Sequence, residues 1–241
     1  MIELISAYLQ GKSYGTSTIR NEVKLVQLVL KRTPQLAIDI GGNIGEYTAE
    51  LRKRNPNCDI HTFEPSATNI ERLKARFIND KNIKLIPFAV SNTSGSATLF
   101  SNKPGSGLAS LTKRKLDHFH LSFDFKEPIN TLRFEDYWTK NLNQQIIDIV
   151  KIDIEGHELS ALEGFGRAIQ STNVFQFEFG GCNIDSRTYF RDFWYFFKEH
   201  DFEIYRITPL GLEHIKKYRE SDEFFSTTNY IAANRKKLIH P

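Results

Sequence analysis

Cysteine is scarce in this chain of 241 residues: Cys58 and Cys182 are the only two. Neither a disulfide framework nor a thiolate zinc site of the CxxC type can be built from them. Two free thiols fit a reducing cytoplasm, the compartment expected here. No run of about 18 apolar residues occurs, so no transmembrane helix is expected. The opening MIELISAYLQ carries Glu3 and lacks a basic start, so it does not read as a secretory signal. Internal repeats and low-complexity tracts are missing too. Neither sign of charge is in excess, since 32 Lys and Arg face 29 Asp and Glu, a formal +3. So mild a balance gives no reason to expect a nucleic-acid partner. What is present, 40% hydrophobic and 25% charged residues, suits a globular chain with one large core and no staples.

Apolar periodicity then supplies the elements. Residues 18–32 read as an amphipathic helix, with Ile19, Val23, Val26 and Leu30 at helical spacing and Thr33-Pro34 as its stop. The apolar run at 35–40 reads as a buried parallel strand. After it come a glycine turn, a helix over 45–54, a strand at Asp59–Phe63, a helix capped by Ser66 with Ile70, Leu73 and Phe77 on one face, and a strand at 83–88. This α-β-α-β-α-β alternation implies a parallel sheet with helices on both faces. Residues 101–127 read as a long loop, preceded by an added strand at Ser96–Phe100. The second half continues with a strand at Ile147–Ile152, a helix from 158, a strand at Val174–Glu178 and an aromatic helix over 187–199. Its stripe of Tyr189, Phe190, Phe193, Trp194 and Phe197 reads as core. Strands at Phe202–Ile207 and Tyr230–Ala233, with no clear helix between them, suggest an antiparallel edge hairpin. The expected fold is therefore α/β, Rossmann-like and doubly wound, with a mostly parallel sheet. Residues 1–34 read as a helical extension and 35–241 as the ligand-binding domain.

The most informative segment is Asp39-Ile-Gly-Gly-Asn-Ile-Gly45, between a strand and a helix. Glycines permit a sharp turn and a close backbone approach to a ligand. Open α/β sheets bind ligands at this end of their strands. Glu64 ends the next strand, where a carboxylate can accept hydrogen bonds from two ribose hydroxyls. Both the G-x-G-x-x-G and the P-loop patterns are missing. Asp39 beside the turn favours a cofactor with a cationic amine over a pyrophosphate.

The spacing Asp39-x-Gly41-x-x-x-Gly45 resembles the first motif of class I S-adenosylmethionine-dependent methyltransferases. The larger set, Asp39–Tyr47, Phe63-Glu64-Pro65, Val150–Glu158 and Ala161–Gly164, resembles the FkbM family of methyltransferases. Gly42 stands where that family usually has alanine, a small-for-small change. The resemblance implies the class I methyltransferase fold, S-adenosylmethionine as cofactor, and transfer to oxygen of a sugar, glycolipid or natural-product intermediate. It implies cofactor contacts from Asp39, Gly41, Asn43, Gly45, Tyr47, Glu64 and Asp153. The segment Phe88–Ser91, with Ala89 and Ser91, is expected to flank adenine.

A second carboxylate cluster completes the site as read from sequence. Asp153 and Glu155 are two apart at a strand end, so both project one way if the chain stays extended, and His157 continues that register. Glu178 closes the neighbouring strand on the same rim. Asp153, Glu155, His157 and Glu178 are thus the candidate catalytic group, with Asp153 or His157 as base. Asp153 and Glu178 holding Mg²⁺ is the alternative; no ligand-spacing motif calls for an ion, so no metal residue is assigned. Lys151 reads as a solvent-facing strand residue and Glu158 as solvent-facing or capping. His118 and His120 fall in a loop. Ser106 or Ser110 can face cofactor or acceptor. An anionic acceptor would suit Lys113, Arg114 and Lys115, although a solvated basic loop is the simpler reading. The N-terminal helix reads as covering the cofactor cleft or mediating pairing. Two other function classes stay open: an RNA methyltransferase, and a silent fold used for assembly.

Overall fold

The computed structural model describes residues 2–14 and 18–238. The helices are α1 (Ile2–Leu9), α2 (Ile19–Leu30), α3 (Glu46–Arg54), α4 (Ala67–Arg76), α5 (Phe134–Asn141), α6 (Glu158–Gly164), α7 (Ala168–Ser171), α8 (Cys182–Ser186), α9 (Phe190–Glu199) and α10 (Arg235–Leu238). The strands are β1 (Leu36–Ile40), β2 (Asp59–Phe63), β3 (Ile83–Ile86), β4 (Ala89–Ser91), β5 (Gly95–Ser101), β6 (Phe125–Arg133), β7 (Ile147–Ile152), β8 (Thr172–Phe179), β9 (Phe202–Thr208), β10 (Gly211–His214) and β11 (Thr228–Asn234).

Eight strands form one sheet in the order β10-β9-β11-β8-β7-β1-β2-β3. β1, β2, β3, β7 and β8 run parallel, β11 runs against both of its neighbours, and β10 closes the edge as a hairpin with β9. This is the expected doubly wound sheet with an antiparallel edge; 202–207 and 230–233 pair antiparallel as expected, but the hairpin at the rim is β9–β10, and β11 lies inside it against β8. The chain moves outward from β1 to β2 and β3, then returns to the other side of β1 with β7. That reversal opens a crevice at the carboxyl ends of β1 and β7.

Both faces of the central strands are covered, which is why β1 and β7 are buried at every position instead of alternating. On one face Ile38, Val150, Phe175 and Phe177 pack with Phe134, Leu162 and Phe193. On the other, Ala37, Ile149, Val174 and Ile231 pack with Val23, Val26, Leu30 and Leu51. α2 is thus built into the second core. The aromatic stripe of α9 is core at Phe190, Phe193 and Phe197, but Tyr189 is 45% exposed at the helix start. Phe177 stacks on Phe193 and Tyr230, with ring centres 5.1 and 5.4 Å away.

The middle of the chain departs from the sequence reading. The strand expected at 83–88 divides at Pro87, and Ala89–Ser91 joins a separate sheet of order β4-β6-β5. Much of the expected loop at 101–127 is structured: Phe100 pairs with Ser110, and β6 starts at Phe125. β6 was hidden by its composition, since Phe125, Lys126, Pro128 and Asn130 are exposed. Pro128 is tolerated because that part of β6 pairs with β5 alone, β4 reaching only Thr131–Arg133. Ser66 occupies the N-cap position of α4 without making a side-chain cap bond. Glu127 Oε1 takes the Ala67 N–H instead, at 2.7 Å. Among the described residues no helix is long and apolar enough to cross a membrane.

α6 carries the stretch after β7 against β4. At its last residue, Gly164, an added Cβ would stand 2.1 Å from the Ser91 carbonyl oxygen. Gly to Ala inside a helix ordinarily stabilises by about 0.5–1 kcal/mol. Gly164→Ala should instead destabilise by about 1–3 kcal/mol in urea unfolding, because backbone blocks the methyl. A neutral or stabilising result would show that α6 and β4 are not in this contact.

Candidate active site

The crevice is built from backbone that side chains cannot occupy. β1 ends at Ile40, and Gly41 turns with φ +85. A Cβ there would lie 1.9 Å from the Asp153 carbonyl oxygen, so only glycine lets this turn lie against the end of β7. At Gly42 a Cβ would meet Thr62 Cγ2 at 2.2 Å; the Thr62 methyl takes the volume that an alanine would use. Gly45 also has positive φ, +82, but its open side faces Leu73 of α4 and Phe77 at the end of that helix. It serves helix packing and does not line the cleft.

Glu64 stands at the end of β2, 5% exposed. Its Oε2 accepts the Asn43 N–H at 2.8 Å and its Oε1 the Ser66 N–H at 2.9 Å. Each oxygen keeps lone-pair capacity toward the cleft. Burial raises its pKa, opposed by those backbone donors. The same arm of the cleft is walled by Pro65, Phe88, Ala89, Val90, Leu99 and Leu111. The segment Ser106–Leu111 roofs it, held where Ser110 Oγ donates to the Glu155 carbonyl at 2.7 Å. A second arm runs toward α2, past Ile19, Glu22, Tyr47, Lys151 and Asn229. Gly41, Asn43, Gly107, Asp153 and Glu178 line both arms.

The carboxylates converge, but not through an extended strand. Asp153 follows β7 directly. Glu155 has φ +55 and Gly156 φ +100, so the chain curls after Asp153 and the expected common register of Asp153, Glu155 and His157 does not form. All three still reach the first arm, together with Glu178. Glu155 pairs with Arg114, whose Nε lies 3.7 Å from Asp185. Arg114 is therefore spent on internal carboxylates, and the basic trio no longer offers three free cations to an anionic acceptor. Lys113 pairs with Asp124 at the surface. Glu155, Glu178 and Cys182 bring ligand-type atoms within 4.8 Å of one another. Burial, then the neighbouring Asp153, raises both Glu155 and Glu178 above the usual glutamate range.

Several residues differ from their sequence reading. Lys151 is buried: its Nζ lies 3.1 Å from Asp153 Oδ2 and 3.8 Å from Asp39 Oδ1. Burial alone would lower its pKa, but those two carboxylates outweigh it and hold Lys151 above its ordinary value. Glu158 is fully buried and accepts the Ile154 and Gly156 N–H groups at 3.0 Å, pinning the curl; burial pushes it to about 7. Asp39 lies beneath the turn, bonded by Thr48 Oγ1 at 2.6 Å and facing Lys151, and is not on the cleft wall. The direct contact expected of it is thus replaced by support. Tyr47 lines the second arm and donates to Gln176 Oε1 at 2.9 Å. Ser91 sits behind the wall, 2.9 Å from His157 Nε2, and burial lowers the His157 pKa. His118 and His120 are exposed and outside both arms. Sequence reasoning missed the internal pairing of Lys151 and Arg114, the place of Cys182, and the Glu22–Gln176 bond of 2.6 Å. For Lys151 a signal was present: it sits inside a run of otherwise apolar strand residues.

Comparison with known proteins gives a family. A model described as the methyltransferase FkbM domain matches residues 39–204. The chain is similar to the 2-O-methyltransferase NoeI of Sinorhizobium fredii, 23% identical over 181 residues, 71% of this chain and 74% of that protein. It is similar to the hexuronic acid methyltransferase AglP of Haloferax volcanii, 24% identical over 158 residues, 64% of this chain and 61% of that one. Among solved structures it is similar to methyltransferase FkbM from Methylobacillus flagellatus, with TM-score 0.49 and 17% identity; the match covers 83% of this chain and 44% of that one.

The crowding of carboxylates has a consequence for stability. Below the ordinary glutamate range Glu178 is neutral whether folded or unfolded. As pH rises, the unfolded chain releases that proton first, so folding loses stability up through the raised pKa. The Tm of the parent should fall between pH 6 and 9. Glu178→Gln should match the parent below about pH 4, under the ordinary glutamate range, and exceed its Tm at pH 9. A variant melting lower than the parent at pH 9 would mean that the Glu178 charge is stabilising.

Proposed function

The chain belongs to the FkbM methyltransferase family, and on that premise we propose that it uses S-adenosylmethionine to methylate a hydroxyl oxygen of a sugar, glycolipid or natural-product intermediate. The observation that carries this reading is the Gly41 turn beside the buried Glu64, a cradle that a Cβ would fill. Glu64 accepts hydrogen bonds from the ribose hydroxyls. Phe88, Ala89 and Val90, opposite Leu99 and Leu111, give an apolar slot suited to adenine. Ser91 and His157 back that slot. Asn43 and Tyr47 line the second arm, with Asp39 and Gly45 holding the turn from behind. We assign residues 35–241 to the methyltransferase domain and 1–34 to a helical extension that completes the second arm.

When bound there, the cofactor supplies an electrophilic methyl on a sulfonium. The lining carboxylates Asp153, Glu155 and Glu178 suit a cationic ligand and oppose a phosphodiester backbone, which weighs against RNA as acceptor. Asp153 is the central carboxylate: Lys151 fixes it, and it faces both arms. The acceptor hydroxyl must be aligned and must lose its proton, to Asp153 or to Glu178. A raised carboxylate pKa suits proton acceptance near neutral pH once a cation lies beside it. A side-chain base is the preferred version over a metal, because Arg114 already supplies the cation opposite Glu155. The name of NoeI, a 2-O-methyltransferase, supports transfer to oxygen, and that of AglP, a hexuronic acid methyltransferase, supports a sugar acid as acceptor.

Calorimetry tests the cofactor. The parent should bind S-adenosylmethionine, and Glu64→Gln should weaken binding by about 1–3 kcal/mol, since ribose hydroxyls lose a charged acceptor. No binding by the parent is what a silent assembly fold would give, and unchanged affinity in the variant removes Glu64 from the site. For the chemistry, Asp153→Asn should lower methyl transfer by about 10²-fold or more while leaving cofactor affinity nearly intact. Transfer at the parent rate would show that alignment alone is sufficient. Loss of transfer in EDTA, restored by Mg²⁺, would favour metal-assisted deprotonation.

A further inference from the structure

A groove at the antiparallel edge of the sheet, remote in chemistry from the acidic cleft, gathers five cationic side chains. Lys12, from the segment after α1, meets Arg206 of β9 and Lys216, Lys217 and Arg219 from the chain after β10. Among the described residues two carboxylates, Glu213 and Asp222, line the same groove. Its formal surplus equals that of the entire chain, +3.

Arg206 forms the floor and is 5% exposed. A guanidinium carries five N–H donors, and a buried one is normally satisfied by short hydrogen bonds. Here Nε has no hydrogen-bond partner among the described residues. Its nearest carboxylate oxygen, on Glu213, stands 3.5 Å away, and the bond from Nη2 to Asp222 is long at 3.4 Å. Two cations also share one ring: Lys12 Nζ lies 4.3 Å and the Arg206 guanidinium 5.1 Å from the centre of Phe224. Cations are drawn to a ring's faces, but Glu213 and Asp222 cannot balance the five cations gathered here, which leaves room for an added anion. The under-used donors of a planar fork match an oxyanion in particular.

We propose that this groove is a binding site for an oxyanion, the phosphate or carboxylate of a small anionic molecule, with Arg206 as its floor and Lys216 and Lys217 as its rim. The site stands apart from methyl transfer and does not depend on it. The anion has two possible sources, a free inorganic ion or a substituent carried on a sugar. The binding chemistry is the same for both.

The test uses the full chain and follows the Arg206 Nε–Hε signal by ¹⁵N NMR at constant ionic strength, the signal being identified by its loss in Arg206→Lys. Inorganic phosphate and glucose 1-phosphate are the probes, with chloride as control. The expected result is a saturable shift with a dissociation constant on the order of 1 mM or tighter. The paired exposed substitutions Lys216→Glu and Lys217→Glu should weaken it at least about tenfold by charge reversal. Cofactor affinity in that variant should equal the parent's, which separates loss of the groove from loss of fold. Tighter binding of glucose 1-phosphate than of phosphate assigns the anion to a sugar, and equal binding assigns it to the free ion. No saturable shift, a shift reproduced by chloride, or an unchanged affinity in the double variant would overturn the proposal.

Discussion

The contact between the Gly41 turn and the end of β7 governs the rest of this structure. With no Cβ at Gly41, the backbone after β1 lies directly on the Asp153 carbonyl. That approach sets the floor of the crevice and places Asp153 beside the turn. It also leaves the Asn43 N–H free to meet Glu64 at the end of β2. Three adjacent parallel strands are thereby locked at their carboxyl ends by one residue without a side chain. A larger residue would have to push β7 outward, and Glu64 and Asp153 would lose their common rim.

Electrostatics is the second constraint. The crevice holds more carboxylates than its buried cations can neutralise, and the excess is managed in layers. Lys151 sits beneath, shared by Asp39 and Asp153. Arg114 reaches in from the chain just after the roof segment and takes Glu155 and Asp185. Backbone donors of the curl take Glu158. Glu178, which faces both arms, is left with a raised pKa from burial and its neighbours. Such a field favours a ligand bearing positive charge.

The sheet was legible in the sequence because its central strands are covered on both faces. The runs at Asp59–Phe63 and Ile147–Ile152 carry the signal of buried parallel strands, and the structure has strands over those same residues. Glu64 at a strand end and the glycines at a strand–helix turn were legible for the same reason, since their spacing follows from the βαβ unit. β4, β6 and α5 were not, because short or half-exposed elements leave no clear period. Lys151 was misread as a surface residue, because burial of a charge depends on partners distant in sequence, here Asp39; Glu158, read as solvent-facing or capping, is buried on backbone N–H groups ahead of α6. The extended register expected from Asp153 to His157 failed because the positive φ values at Glu155 and Gly156 curl the chain. His157 consequently turns to Ser91, on the wall expected for adenine.

The most direct measurement is a crystal structure with S-adenosylhomocysteine bound. The account predicts ribose hydroxyls within hydrogen-bond distance of Glu64 and adenine in contact with Phe88, Ala89 or Val90, closer than about 4.5 Å. It predicts the sulfur end over Gly41, toward Asp153 and Glu178. Adenine seated instead in the second arm against Tyr47 and Glu22, or a ribose that leaves Glu64 untouched, would contradict it.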